Sequence, residues 1–216
     1  LDLRAQRIHL AAPYPVFHQA LRIALYDEYA ARSFYSRVNE AFAERPPFSN
    51  IVQSEQRHIA ALSQLCERFG IPRPLDPFPN ETTIDPSWLR NCQRAVAGEL
   101  ANIRLYDYLL GQVQEPEIRQ VFTRLQLASL EQHLPAFQHA VADAMAYEQY
   151  HAERGISPER AYESHGPLSD FIEKAIAQVG AHMGPLGMVG PLLSRAHPAL
   201  LAGALVGGAS VYLWKT

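Results

Sequence analysis

The chain has 216 residues, 48% of them hydrophobic and 19% charged, with a formal net charge of −3. That is enough apolar material for one good-sized core plus an appendage, and it excludes a disordered chain. The charge balance offers no basic footprint, which argues against nucleic acid as a partner, and two cysteines, Cys66 and Cys92, cannot build a disulfide framework.

In chain order, nearly every periodic segment reads as helix, and no strand alternation persists. A first helix is predicted from about Pro15 to Phe42, stopped by Pro46-Pro47. A second begins near Ser49 or Asn50, both good caps, and ends at Gly70 with Pro72 beyond. The proline-rich loop RPLDPFPNETTIDP follows. A third helix is expected with Asp85 as cap and Pro86 in its first position, running to about Gly111. A fourth runs from about Pro116 to His151, with Pro135 inside it to bend it or loosen one turn. Four long helices in two hairpins make a four-helix bundle the economical all-α fold, assigned to residues 1–155.

The remainder, residues 156–216, differs. Two short helices are expected, one after Ser157-Pro158 and one from Ser169 through Ala177, followed by the apolar near-repeat GPLGMVGPL. Residues 198–214, PALLAGALVGGASVYLW, carry no charge. As a helix they would span about 25 Å, against a hydrocarbon core of about 30 Å. Arg195 and His197 precede them, and Tyr212, Trp214 and Lys215 close them, as at a membrane interface. This tail predicts a membrane-associated protein, or one docked on a membrane complex. The competing expectation is a hydrophobic helix packed on the bundle or on a second subunit, in a soluble cytoplasmic protein.

The chemistry sits in the helices. IVQSEQRHIAAL holds Glu55 and His58 as Glu-x-x-His beside an apolar stripe. ALYDEYAARSFY in the first helix holds Glu28 and Tyr35, and AGELANIRLYDY in the third holds Glu99 and Tyr106. Each Glu and its Tyr are two turns apart and share a face. Arg32, one turn after Glu28, is the competing partner for that carboxylate at the surface. LASLEQHLPAF supplies His133, but the position three residues before it is Leu130, not a carboxylate, and Glu131 is a marginal substitute. The inward set is therefore Glu28, Glu55, His58, Glu99 and His133. Burying such carboxylates calls for a metal, a partner or protonation. Oxygen and imidazole donors in this mix suit iron, with manganese or zinc as alternatives. Tyr35 and Tyr106 would hydrogen-bond to the carboxylates from behind. Cys66 and Cys92 read as core, and His9, His18, His139, His151, His165, His182 and His197 as surface or loop residues.

Over about Ala20 to Phe137, the stretches DEYAARSFY, PFSNIVQSEQRHIAAL, GELANIRLYD and LASLEQHLPAF resemble the ferritin-like superfamily of rubrerythrins and ferritins. The resemblance is strongest to a prokaryotic branch of it with no assigned activity. It implies an up-down four-helix bundle with a carboxylate-bridged di-iron centre that reacts with oxygen or peroxide, as an oxidase, ferroxidase or peroxidase. Glu55 would bridge the two metals, with Glu28 and Glu99 terminal and one histidine on each. Leu130 departs from the pattern, because the usual second bridging Glu is missing. The alternative is a non-enzymatic accessory subunit of a membrane complex with a vestigial or structural metal site. Storage or sensing would need a cage-like or regulated assembly, and a homo-oligomer is among the expected partners.

Overall fold

The computed structural model describes residues 2–162 except Glu159, together with Ala175. The described residues are all helix and loop, with no strand. The expected helix at 169–177, the GPLGMVGPL stretch and the 198–214 segment lie outside them, Ala175 apart. Among the described residues no helix is long and apolar enough to cross a membrane. The chain divides into two compact units, Leu1–Ala140 and Val141–Thr216.

In the first unit, a short 3₁₀ turn at Leu3–Ala5 precedes α1, Val16–Ala41. The buried stripe of α1 runs through Leu21, Leu25, Glu28, Tyr35 and Val38, so the apolar face carries a carboxylate in mid-helix. The second helix, α2, spans Phe48–Arg68 and starts before the expected caps Ser49 and Asn50. No side chain caps it. Its start is set by Phe48, fully buried among the rings of Phe34, Tyr35, Trp88 and Phe137. At the other end Gly70 takes φ +63°, and Ile71 N–H reaches back to the Cys66 carbonyl (2.8 Å), the glycine stop the sequence calls for.

The proline-rich loop contains a one-turn helix, α3 (Phe78–Glu81), that the sequence reading did not separate. Asp76 holds it by accepting from Phe78 N–H (3.1 Å), and the Phe78 ring packs on Tyr26 (4.8 Å). Asp76 also takes Arg32 (2.5 Å), so Arg32 turns to this loop and not to Glu28. Helix α4, Trp88–Gln112, is capped by Ser87 and not by Asp85. The Asp85 carboxylate is occupied as acceptor for Ser87 N–H (2.8 Å), while Ser87 Oγ accepts from Arg90 N–H (3.2 Å).

The expected fourth helix is three segments: α5 (Pro116–Ala128), a π-turn (Ser129–His133) and α6 (Leu134–Ala152). Pro135 has no N–H to give the Glu131 carbonyl, and its ring would crowd that oxygen. The chain widens one turn instead, and Leu134 N–H bonds to the Ser129 carbonyl five residues back. Helix α1 packs on α2 and α4, and α4 on α5 and the π-turn. One core cluster is apolar, with Leu21, Leu25, Leu62, Leu105, Leu109, Ile118 and Phe122. The aromatic rings around Phe48 form a second cluster.

In the second unit, α6 ends in another glycine stop at Gly155 (φ +73°), with Ile156 N–H on the His151 carbonyl (3.1 Å). Tyr147, Tyr150 and Ala161 are buried together with Tyr162 against them. His151, expected at the surface, is only 1% exposed, because the rings of Tyr147 (4.6 Å) and Tyr150 (5.2 Å) enclose it.

Candidate metal centre

Five residues from α1, α2, α4 and the π-turn meet in the interior of the first unit. Glu28, Glu55, His58, Glu99 and His133 are all buried. They form two trios, Glu28–Glu55–His58 and Glu55–Glu99–His133, and the ligand atoms within each lie within 4.8 Å of one another, so that each could hold a metal ion. Glu55 belongs to both. Its two oxygens split between the histidines: Oε2 lies 3.4 Å from His58 Nδ1 and Oε1 lies 3.2 Å from His133 Nδ1. Those nitrogens also approach the outer carboxylates, at 3.2 Å to Glu28 Oε2 and 3.5 Å to Glu99 Oε1. The two imidazoles stack with centroids 5.5 Å apart and planes 22° from parallel.

The tyrosines cross over. Tyr106 on α4 donates to Glu28 on α1, and Tyr35 on α1 donates to Glu99 on α4, both at 2.6 Å. The seven-residue spacing puts each Tyr on the face of its own Glu, but the antiparallel course of α1 and α4 delivers it to the Glu of the other helix. Each bond occupies Oε1 of its carboxylate; in Glu28 this leaves Oε2 toward the histidine.

Electrostatics follow from burial and crowding. Burial, reinforced by the Glu55 charge, pushes the Glu28 carboxyl up to about 7. Burial opposes ionisation of Glu55 as well, but Glu28 and the two imidazoles beside its oxygens hold it below the usual carboxylate range. Burial alone would lower the histidines. Instead Glu28 and Glu55 carry His58 up to about 10, and Glu55 and Glu99 carry His133 up to about 9. Both phenols lie well above their ordinary value, first through burial and then through the carboxylate each faces.

Three observations bear on a metal. The donors are carboxylate oxygens and imidazole nitrogens only, a set that binds iron, manganese or zinc. Both Nδ1 atoms face carboxylate oxygens from two sides. And His133, 2% exposed, is close enough to Glu55 and Glu99 for charge attraction but aligned for a hydrogen bond with neither. A buried nitrogen aimed between two carboxylates without bonding to either fits a ligand position better than a settled polar network. The five residues therefore fit a metal ion.

Around the expected residues lies a network the sequence reading did not single out. Asn102 Nδ2 donates to Asp27 Oδ2 (2.8 Å) and reaches Glu28 Oε1 at 3.5 Å, while its Oδ1 accepts from Ser129 Oγ (3.0 Å). Asp27 also accepts from Gln6 (2.6 Å), and burial together with the adjacent Glu28 charge pushes it up to about 6. Ser54 Oγ lies 3.4 Å from His58 Nε2. A signal for Asn102 was present: it sits three residues after Glu99 and four before Tyr106, on the same inward face. Leu130 points out, at 46% exposure, and Glu131 is exposed as well, so it is no ligand. Cys66 and Cys92 are buried as core residues, and Arg57 faces outward.

No family model and no curated protein matches the chain. In structure it is similar to a hypothetical protein from Methanococcus jannaschii DSM 2661, known from a crystal structure, with a TM-score of 0.53 and 18% identity. The match covers 73% of this chain and 95% of that one. At that identity the likeness speaks to the helical fold alone.

Proposed function

We propose that the region assigned as residues 1–155 is an up-down four-helix bundle of ferritin type, and that the chain is a metalloprotein holding two iron ions at its carboxylate–histidine centre. The observation that carries this reading is the double membership of Glu55, whose two oxygens serve two trios from opposite sides. When bound there, iron supplies one-electron changes at each ion, which suits oxidation of ferrous iron or reduction of dioxygen or peroxide. The chain's own residues do the rest. Glu28, Glu55 and Glu99 offset the cations' charge in a site too buried for water to do so. Tyr35 and Tyr106 fix one oxygen of each outer carboxylate, so each ligand keeps one orientation. His58 and His133, whose protonated forms the flanking carboxylates favour, would each give up a proton to hold a cation. The 198–214 segment would attach the bundle to a membrane or membrane complex.

A specific observation favours a second reading, an accessory subunit whose centre is structural. The inward place one turn before His133 is taken by Ser129, bonded to Asn102, and not by a carboxylate. The free protein is also already partly cross-neutralised, with histidines between carboxylates.

Metal analysis of the purified protein, before and after anaerobic loading with ferrous iron, separates these readings. The expected result is roughly two irons per chain, lost in a Glu55→Ala, His58→Ala double variant, with dioxygen or peroxide consumed by the loaded protein. Metal uptake without turnover favours the structural reading. No uptake in either protein sinks the metal reading.

A further inference from the structure

We propose that Ser129, not position 130, fills the sixth ligand place of this centre, as a neutral side chain clamped by Asn102. This rests on the metal reading above. In a regular helix the residue three before His133 would share its face, which makes Leu130 the apparent replacement of a missing carboxylate. The π-turn changes the register. Its bond from Leu134 N–H to the Ser129 carbonyl spans five residues, and in this wider turn the residue three before His133 swings off its face while the residue four before stays on it. Exposure agrees: Ser129 is 3% exposed and Leu130 46%.

What Ser129 does there is visible in its partners. Its hydroxyl donates to Asn102 Oδ1, and the Asn102 amide donates to Asp27 and reaches Glu28. The chain Ser129–Asn102–Glu28 ties the π-turn carrying His133 to the carboxylate of the opposite trio. Asn102 is thus a positioning residue acting through Glu28. The centre keeps five protein ligands, and the side facing Ser129 and Asn102 presents hydrogen-bonding groups without a charge. A carboxylate restored to this protein belongs at 129, and the same carboxylate at 130 would enter solvent.

The test has two parts. Manganese(II) binding to the wild type, Ser129→Glu and Leu130→Glu is followed by the loss of the free-ion paramagnetic signal. Ser129→Glu is expected to tighten the weaker manganese site by about 10–100-fold, and Leu130→Glu to leave both sites unchanged. The reverse pattern overturns the inference, as does wild-type binding that neither variant alters. The second part needs no metal. In Ser129→Cys and Leu130→Cys, a thiol reagent should label the Leu130 variant rapidly and leave the Ser129 variant protected until unfolding; the native Cys66 and Cys92 are buried and give little background. Equal labelling of the two overturns the register whatever the metal result. If the wild type binds no manganese while the labelling contrast holds, the metal reading fails and the register stands.

Discussion

The two halves of the candidate centre present the same three donors, two Glu and one His, by different backbones. The Glu28–Glu55–His58 half rests on regular helices, with Glu55 and His58 one turn apart on α2. The Glu55–Glu99–His133 half takes its histidine from a π-turn forced by Pro135. The halves differ in what stands behind the imidazole, too. Ser54 lies beside His58 Nε2, whereas His133 Nε2 has no hydrogen-bond partner among the described residues. A ligand trio can thus be matched in space where it is not matched in sequence, provided packing rather than helical period sets one member's direction.

Four experiments would break or sharpen that contrast. The largest effect is expected from Glu55→Ala, which removes the shared ligand. Both halves should fail together, with metal content falling from roughly two ions per chain to none, as elemental analysis would read. If one ion survived, the trios would be independent and the shared role of Glu55 wrong. His58→Ala and His133→Ala, by contrast, should each cost one ion. The remaining ion should bind more tightly in His133→Ala than in His58→Ala, since His58 alone has a neighbour beside its outer nitrogen.

Tyr35→Phe and Tyr106→Phe come next. Each takes the tyrosine donor from a buried carboxylate oxygen, at a cost of about 1–3 kcal/mol in the free protein, measurable by denaturant unfolding. Because the tyrosines cross over, Tyr106→Phe should weaken the Glu28 half and Tyr35→Phe the Glu99 half, the opposite of an assignment by sequence neighbourhood.

The third concerns pH. His58 and His133 have folded values of about 10 and about 9, above their ordinary 6.5. Glu28 is likewise raised from 4.5 to about 7 and Asp27 from 3.8 to about 6. The folded protein therefore binds more protons than the unfolded one, so stability falls as pH rises. The histidine contribution is fully present below pH 6.5 and lost as pH climbs through about 9 to 10. Thermal melts of chelator-treated protein should show the decline from mildly acidic to alkaline pH. Bound metal, replacing those protons, should flatten or reverse it; a metal-free protein more stable at pH 9 than at pH 6 would contradict these assignments.

Smallest should be Arg32→Ala. It frees the loop carrying α3 by breaking a partly exposed pair with Asp76, for about 1 kcal/mol or less. Metal content should not change, since Arg32 does not touch Glu28. A loss of metal would put Arg32 back beside the centre.

The amino-acid sequence alone made the helices, most of their ends and the five inward residues legible. These follow from local rules: the 3.6-residue period that gathers Leu21, Leu25, Glu28 and Tyr35 on one stripe, the glycine that ends α2, and the Glu-x-x-His turn. Three things were decided only by tertiary structure. Phe48, by sinking into a nest of rings, set the start of α2 ahead of its polar candidates. The antiparallel pairing of α1 and α4 crossed the tyrosines between carboxylates, which no spacing within one helix encodes. And where Pro135 denied a backbone bond, the chain opened into a π-turn, turning Ser129 inward and Leu130 to solvent. A periodic reading assumes an unbroken helix, and one widened turn changes which neighbour shares the face of His133.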